Sequence, residues 1–104
     1  MTTIALYHKH YNKQHLEYVK SQMVTLGAPE IRAMWSEVYG IWLAVEGCHR
    51  LRAAKELGMT PIIIDVTDLE TITIQNDGED VEVNATEELI SLTDNAPYTQ
   101  ILDF

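Results

Sequence analysis

Beyond Lys55 the chain contains no lysine and no arginine. All seven basic residues lie within 1–55, alongside four acidic ones, while residues 56–104 carry the other twelve acidic residues, and the formal net charge is −9. The two halves therefore have opposite electrostatics: an anionic ligand is steered to the first, and the second repels nucleic acid and anionic membrane surfaces. Direct nucleic-acid binding and membrane association are not expected. The single cysteine, Cys48, excludes an internal disulfide and leaves three roles open: a packed small residue, a reactive thiol, or half of an intermolecular pair. There is no run of eighteen or more apolar residues and no charged-then-apolar N-terminal segment, so a spanning helix and secretion are not expected, and the cytoplasm is the expected location. Repeats, low-complexity tracts and linkers are also missing. At 104 residues the chain is read as one domain with a single modest core.

What is present alternates between strand and helix periods. Residues 3–7 form a short apolar run suited to an edge strand. His8, His10 and His15 match no zinc spacing and are read as surface histidines. Asn12 is a helix N-cap, with Leu16, Val19, Met23 and Leu26 on one face and Gly27 and Pro29 as the stop. Lys13 then falls in the first turn. Residues 31–37 and 41–46 flank Val38-Tyr39-Gly40 as a hairpin, with Ile31, Ala33 and Trp35 on the buried face and Arg32, Met34 and Ser36 on the other. A helix is expected from about His49 to Leu57, its Leu51, Ala54 and Leu57 or Ala53 facing the sheet, followed by a buried strand over 61–66 that completes a β-α-β segment. A second hairpin spans 70–84 around Asn76-Asp77-Gly78-Glu79, and a helix spans 85–92 with Asn84 or Thr86 as cap. Residues 97–104 are apolar enough to dock on the body or on a partner chain. The expected class is α+β, a small mixed sheet with helices. Its core is read over about 4–69, with an acidic hairpin, short helix and tail over 70–104.

The turn through Glu46-Gly47-Cys48-His49-Arg50 is the candidate site. A helix N-terminus presents unpaired N–H groups and the positive end of the macrodipole, both of which favour an anion. Gly47 lets the backbone approach a ligand closely, Arg50 offers a guanidinium fork that matches phosphate oxygens, and Arg52 can reach a phosphate. A thiol at such a helix start, beside His49 and Arg50, is expected to carry more thiolate. Glu46 has an alternative role, pairing with Arg50 and holding the turn shut.

Gly47-Cys48-His49-Arg50, after an apolar strand and at the opening of a helix, resembles the Gly-Cys-His-Arg box of sulfiredoxins. The wider run from Glu46 through Gly47, Arg50-Leu51-Arg52-Ala53-Ala54 and Leu57-Gly58 is similar to the Gly-Glu-Arg-Arg-x-Arg-Ala box of ParB N-terminal domains, which share the sulfiredoxin fold. Lys13, Pro29, Ile31 and Trp35 extend the resemblance, which covers residues 13–69. It implies a ParB/sulfiredoxin-like fold in which Lys13, His49 and Arg50, with Gly47, Cys48 and Arg52 around them, bind the phosphates of ATP, CTP or ADP together with Mg²⁺. It also implies that the phosphate is hydrolysed or transferred, with His49 and Glu46 as candidate bases. In the sulfiredoxin branch Cys48 becomes a nucleophile in ATP-dependent thiol chemistry. Glu46 stands where sulfiredoxins have glycine, as the ParB-like branch commonly tolerates. Leu16 and Lys20 replace first-helix hydroxyl residues. A third reading, from another class, is a non-catalytic regulatory module of the phage or mobile-element kind, using its acidic C-terminal half to bind a protein partner or itself as a homo-oligomer.

Overall fold

In the computed structural model, residues 2–6, 11–76, 79–95 and 100–104 are described. Strand β1 (Thr3–Ala5) leads towards helix α1 (Lys13–Leu26), which begins where the Asn12 side chain accepts the backbone N–H of His15 at 2.9 Å and ends at Gly27. His8 and His10 lie outside the described residues. Strands β2 (Glu30–Ser36) and β3 (Ile41–Ala44) form the expected hairpin, closed by Gly40 at φ 65° and by the Gly40 N–H to Ser36 carbonyl bond of 2.8 Å. Helix α2 (Cys48–Leu57) follows, then β4 (Ile62–Asp65), the antiparallel pair β5 (Thr71–Asn76) and β6 (Glu79–Asn84), helix α3 (Ala85–Asn95) and strand β7 (Ile101–Asp103). The Asn84 side chain accepts the Glu87 N–H at 3.0 Å, which makes Asn84 rather than Thr86 the cap of α3.

The main sheet has five strands in the order β4-β2-β3-β1-β7, with β1 parallel to β3 and β4 parallel to β2. The class is α+β, with a mixed sheet and, among the described residues, three helices. Strand alternation sends Ile4, Leu6, Ile31, Ala33 and Ala44 to one face, where Leu51 of α2 meets them. Ala5, Met34, Leu43 and Val45 go to the other, where Ile72, Ala85 and Leu92 cover them. Leu16 and Met23 of α1 pack on Ala53 and Ala54 of α2, both fully buried, and small residues there let the two helices approach closely. Each large side chain fully buried in these layers contributes about 1.5–3 kcal/mol.

Five expectations change. β2 is buried on both faces, with Met34 and Ser36 as covered as Ile31, because residues 70–95 pack on the face taken from sequence to be open. Trp35, expected inside, is 38 % exposed and stacks edge-on against Trp42 at 5.2 Å. The strand after α2 is not buried but is the outer strand of the sheet, with Ile62 and Ile64 exposed. It pairs with β2 and not with β3, so β3, α2 and β4 form no parallel crossover. Leu26 is 77 % exposed, since α1 outruns the helix it packs on. The tail docks on the body: β7 pairs with β1, and Thr2 and Phe104 exchange backbone hydrogen bonds of 3.1 and 2.8 Å. Among the described residues no helix is long and apolar enough to cross a membrane.

Candidate functional site

Two helices begin at the same end of the molecule. β1 and β3 are parallel neighbours, and the helix that follows each starts beyond its C-terminal end. The helices lie side by side and run the same way, because His15 meets His49 near their starts (ring centroids 4.6 Å apart, edge-on) while Lys20 meets Glu56 further along at 3.8 Å. The His49 Nε2 accepts the backbone N–H of Asn12 at 3.0 Å, tying one helix start to the other. An imidazole nitrogen that accepts carries no proton, so the proton of neutral His49 resides on Nδ1. Lys13, the first residue of α1, is exposed at this same end.

Gly47 is the N-cap of α2, in the left-handed region at φ 79°, and provides no side-chain cap. A Cβ there would stand 2.6 Å from Ile31 Cδ1 and 3.3 Å from Arg50 Nη2. The approach that glycine opens is thus filled by the chain's own Ile31 and Arg50, not left clear for a ligand. Arg50 folds back: Nη1 donates to the Glu30 carbonyl at 2.9 Å and Nη2 to Glu46 Oε1 at 3.1 Å.

Glu46 receives a second guanidinium. Arg32 Nη2 donates to Glu46 Oε2 at 2.7 Å, so one carboxylate bridges β2 and α2. Burial pushes the Glu46 carboxyl up, but the hydrogen bond from Arg32 and the charges of Arg32 and Arg50 outweigh it and hold the group below its ordinary value of 4.5. Arg32 is raised in turn, first by its hydrogen bond to Glu46, against a smaller effect of burial, with the charges of Glu46 and Asp80 adding to the rise. The Glu46–Arg50 pair is the one expected from sequence, and Arg32 is an additional partner. The hairpin register held the signal: with Ala33 opposite Ala44, Arg32 comes beside Val45, one residue from Glu46.

A carboxylate whose pKa is depressed in the folded state contributes stability that is present above the unfolded value and is lost as pH falls through the folded one. Glu46→Gln is therefore expected to lower the melting temperature at pH 7, with the gap to the parent protein narrowing as pH drops below the ordinary value of 4.5. Thermal melts across pH 3–7 measure it. A gap independent of pH means that packing, not charge, is what Glu46 supplies.

Cys48, the first residue of α2, is 6 % exposed and packed among Ile4, Leu6, Ile31 and Leu51. Enclosure of that kind suits a small apolar residue and withholds the sulfur from reagents in solution. Arg52, read as a residue that could reach a phosphate, lays its guanidinium 4.5 Å from the Tyr11 ring centroid, at the wall of a cleft of about 200 Å³ shared with Lys55 and Gln100. Of the seven site residues read from sequence, Lys13 and His49 stand at the joint helix start, while Glu46, Gly47 and Arg50 form a closed turn beside it. Cys48 lies beneath, in the core, and Arg52 is one turn along, against Tyr11. Among the described residues, no three His, Cys, Asp or Glu side chains are grouped to hold a metal ion. Compared with protein-family models, with curated proteins and with solved structures, the chain matches none.

Proposed function

We propose that this chain binds the phosphate groups of a nucleotide where α1 and α2 begin. The observation that carries the reading is the pairing of two helix N-termini, parallel and in contact, at the C-terminal ends of parallel strands, with Lys13 on one and His49 on the other. Two macrodipoles add their positive ends there, and ligands of open sheets commonly lie beyond the carboxyl ends of strands. The resemblance to sulfiredoxins and ParB N-terminal domains supports it, since it assigns phosphate contacts to the same Lys13 and His49. In the resting arrangement Arg50 joins them only by leaving Glu46.

The reading is one of binding. Both residues considered as bases are engaged, His49 Nε2 by the Asn12 N–H and Glu46 by two guanidinium groups. The buried Cys48 favours the packed-residue role over the sulfiredoxin-like thiol role. The described side chains make no cage for Mg²⁺, a small hard cation that keeps several waters and is often carried by substrate phosphates, so any Mg²⁺ would arrive on the nucleotide.

Titration calorimetry with ATP, CTP, ADP and GTP, each with Mg²⁺, tests the proposal. At least one is expected to bind, and Lys13→Ala, an exposed change with little effect on the fold, is expected to weaken it about tenfold, as for loss of one charged hydrogen bond. Heat signals at the level of buffer for all four overturn it.

A further inference from the structure

Among the described residues β4 is the outermost strand of the sheet, and none of them pairs with the backbone groups on its far side. In a parallel pair, alternate residues turn both N–H and C=O to the partner strand. The Ile62 N–H donates to the Pro29 carbonyl at 2.8 Å and the Val66 N–H to the Ala33 carbonyl at 3.0 Å, so Ile62, Ile64 and Val66 face β2. Ile63 and Asp65 consequently aim their N–H and C=O groups outward.

Open edges in soluble proteins are usually blunted by lysine, by an inward charge, by proline within the strand or by a bulge. β4 has none of these between Ile62 and Ile64, and Pro61 only precedes it. Ile62 and Ile64 share one face and are 52 % and 40 % exposed, an apolar strip beside an unpaired ladder. The edge is short and sharply ended, since Asp65 accepts from the Thr67 N–H at 2.9 Å and the Thr67 hydroxyl at 2.6 Å as the chain turns away.

Charge selects the occupant. Asp65, Asp68 and Glu70 follow the strand, exposed Glu30 is the register partner of Ile62, and from Glu56 to the last residue there is no basic side chain. The cation nearest on β2, Arg32, is held by Glu46. A second copy would bring an identical acidic edge and a further net charge of −9 against the first.

We propose that the outer edge of β4 accepts an extended peptide in which apolar residues alternate with lysine or arginine, added as a sixth strand of the main sheet. Main-chain bonds to Ile63 and Asp65 supply the affinity, apolar residues settle beside Ile62 and Ile64, and the basic residues answer the surrounding carboxylates.

The test uses the full chain and two labelled hexapeptides, one alternating valine with lysine and one alternating valine with glutamate. Fluorescence anisotropy is expected to show binding of the lysine peptide alone, weakened at high salt. Ile64→Lys, at an exposed position that leaves the core intact, is expected to weaken it at least about tenfold. Amide shifts in NMR spectra are expected to centre on Ile63 and Asp65. Equal binding of both peptides, indifference to Ile64→Lys, or shifts elsewhere overturns the proposal. So does a dimer in sedimentation equilibrium that Ile64→Lys dissolves, which assigns the edge to a second copy.

Discussion

Alanine at Gly47 is expected to lower the unfolding free energy by about 2–5 kcal/mol. Two effects add. An L-residue held in the left-handed region costs about 1–2 kcal/mol, and crowding a packed site costs about 1–3 kcal/mol. Gly58, which caps the other end of α2 at φ 71° with nothing within 4 Å of where a Cβ would stand, separates the two. Gly58→Ala is expected to show the backbone effect alone. Ile31→Val removes the methyl group that the new Cβ would strike, so in a Gly47→Ala background it is expected to be much less damaging than its own 0.5–1.5 kcal/mol, which is roughly the usual range. Urea denaturation of the parent, Gly47→Ala, Ile31→Val and their double variant measures the cycle, with Gly58→Ala beside them. Equal losses at Gly47 and Gly58 reject the crowding argument.

Removal of residues 70–104 is expected to abolish the cooperative thermal transition and to leave a product that binds hydrophobic dyes. The deleted part covers the Met34 and Leu43 region of one face of the sheet. Met34 and Leu43 are at most 2 % exposed beneath it, and β1 would lose one of its two neighbours. A single truncation in such a layer, Met34→Ala, costs about 2–5 kcal/mol by itself, against a total stability for a domain of this size on the order of 5–15 kcal/mol. Circular dichroism of the shortened chain checks it. A sharp melt of residues 1–69 would mean that the acidic hairpin, α3 and β7 are an appendage.

Local structure was legible in the sequence wherever one residue decides it. Asn12, Gly27 and Gly58 bound their helices, and Gly40 turns its hairpin, since capping and positive φ are short-range chemistry. Pairing was legible between sequence neighbours, β2 with β3 and β5 with β6, and not between strands farther apart. The isoleucine run of β4 reads as buried because parallel central strands have that composition, and nothing within four residues tells an outer strand from an inner one. Met34 reads as outward because its cover comes from residues more than thirty positions away. At the site, the helix start after Gly47 was legible from Gly47 and the apolar strand before it. The meeting of His49 with Asn12 was not, because it follows from two helices packing in parallel. Arg32 escaped because its partner Glu46 is fourteen residues on and meets it only once the register of the β2–β3 hairpin is fixed.

The neighbours of β1 also set an order of events in time. Ile4 is flanked by Trp42 on one side and Leu102 on the other, so the earliest described strand to be synthesised has no partner until the hairpin has been made, and its second side stays open until β7 follows. The β2–β3 hairpin and the α1–α2 pair use nearer contacts, and closing short loops is entropically easier than closing long ones. Pairings this distant in sequence slow folding and prolong the exposure of unpaired edges. On a growing chain, the first of the described strands to be made is the last of them to be completed.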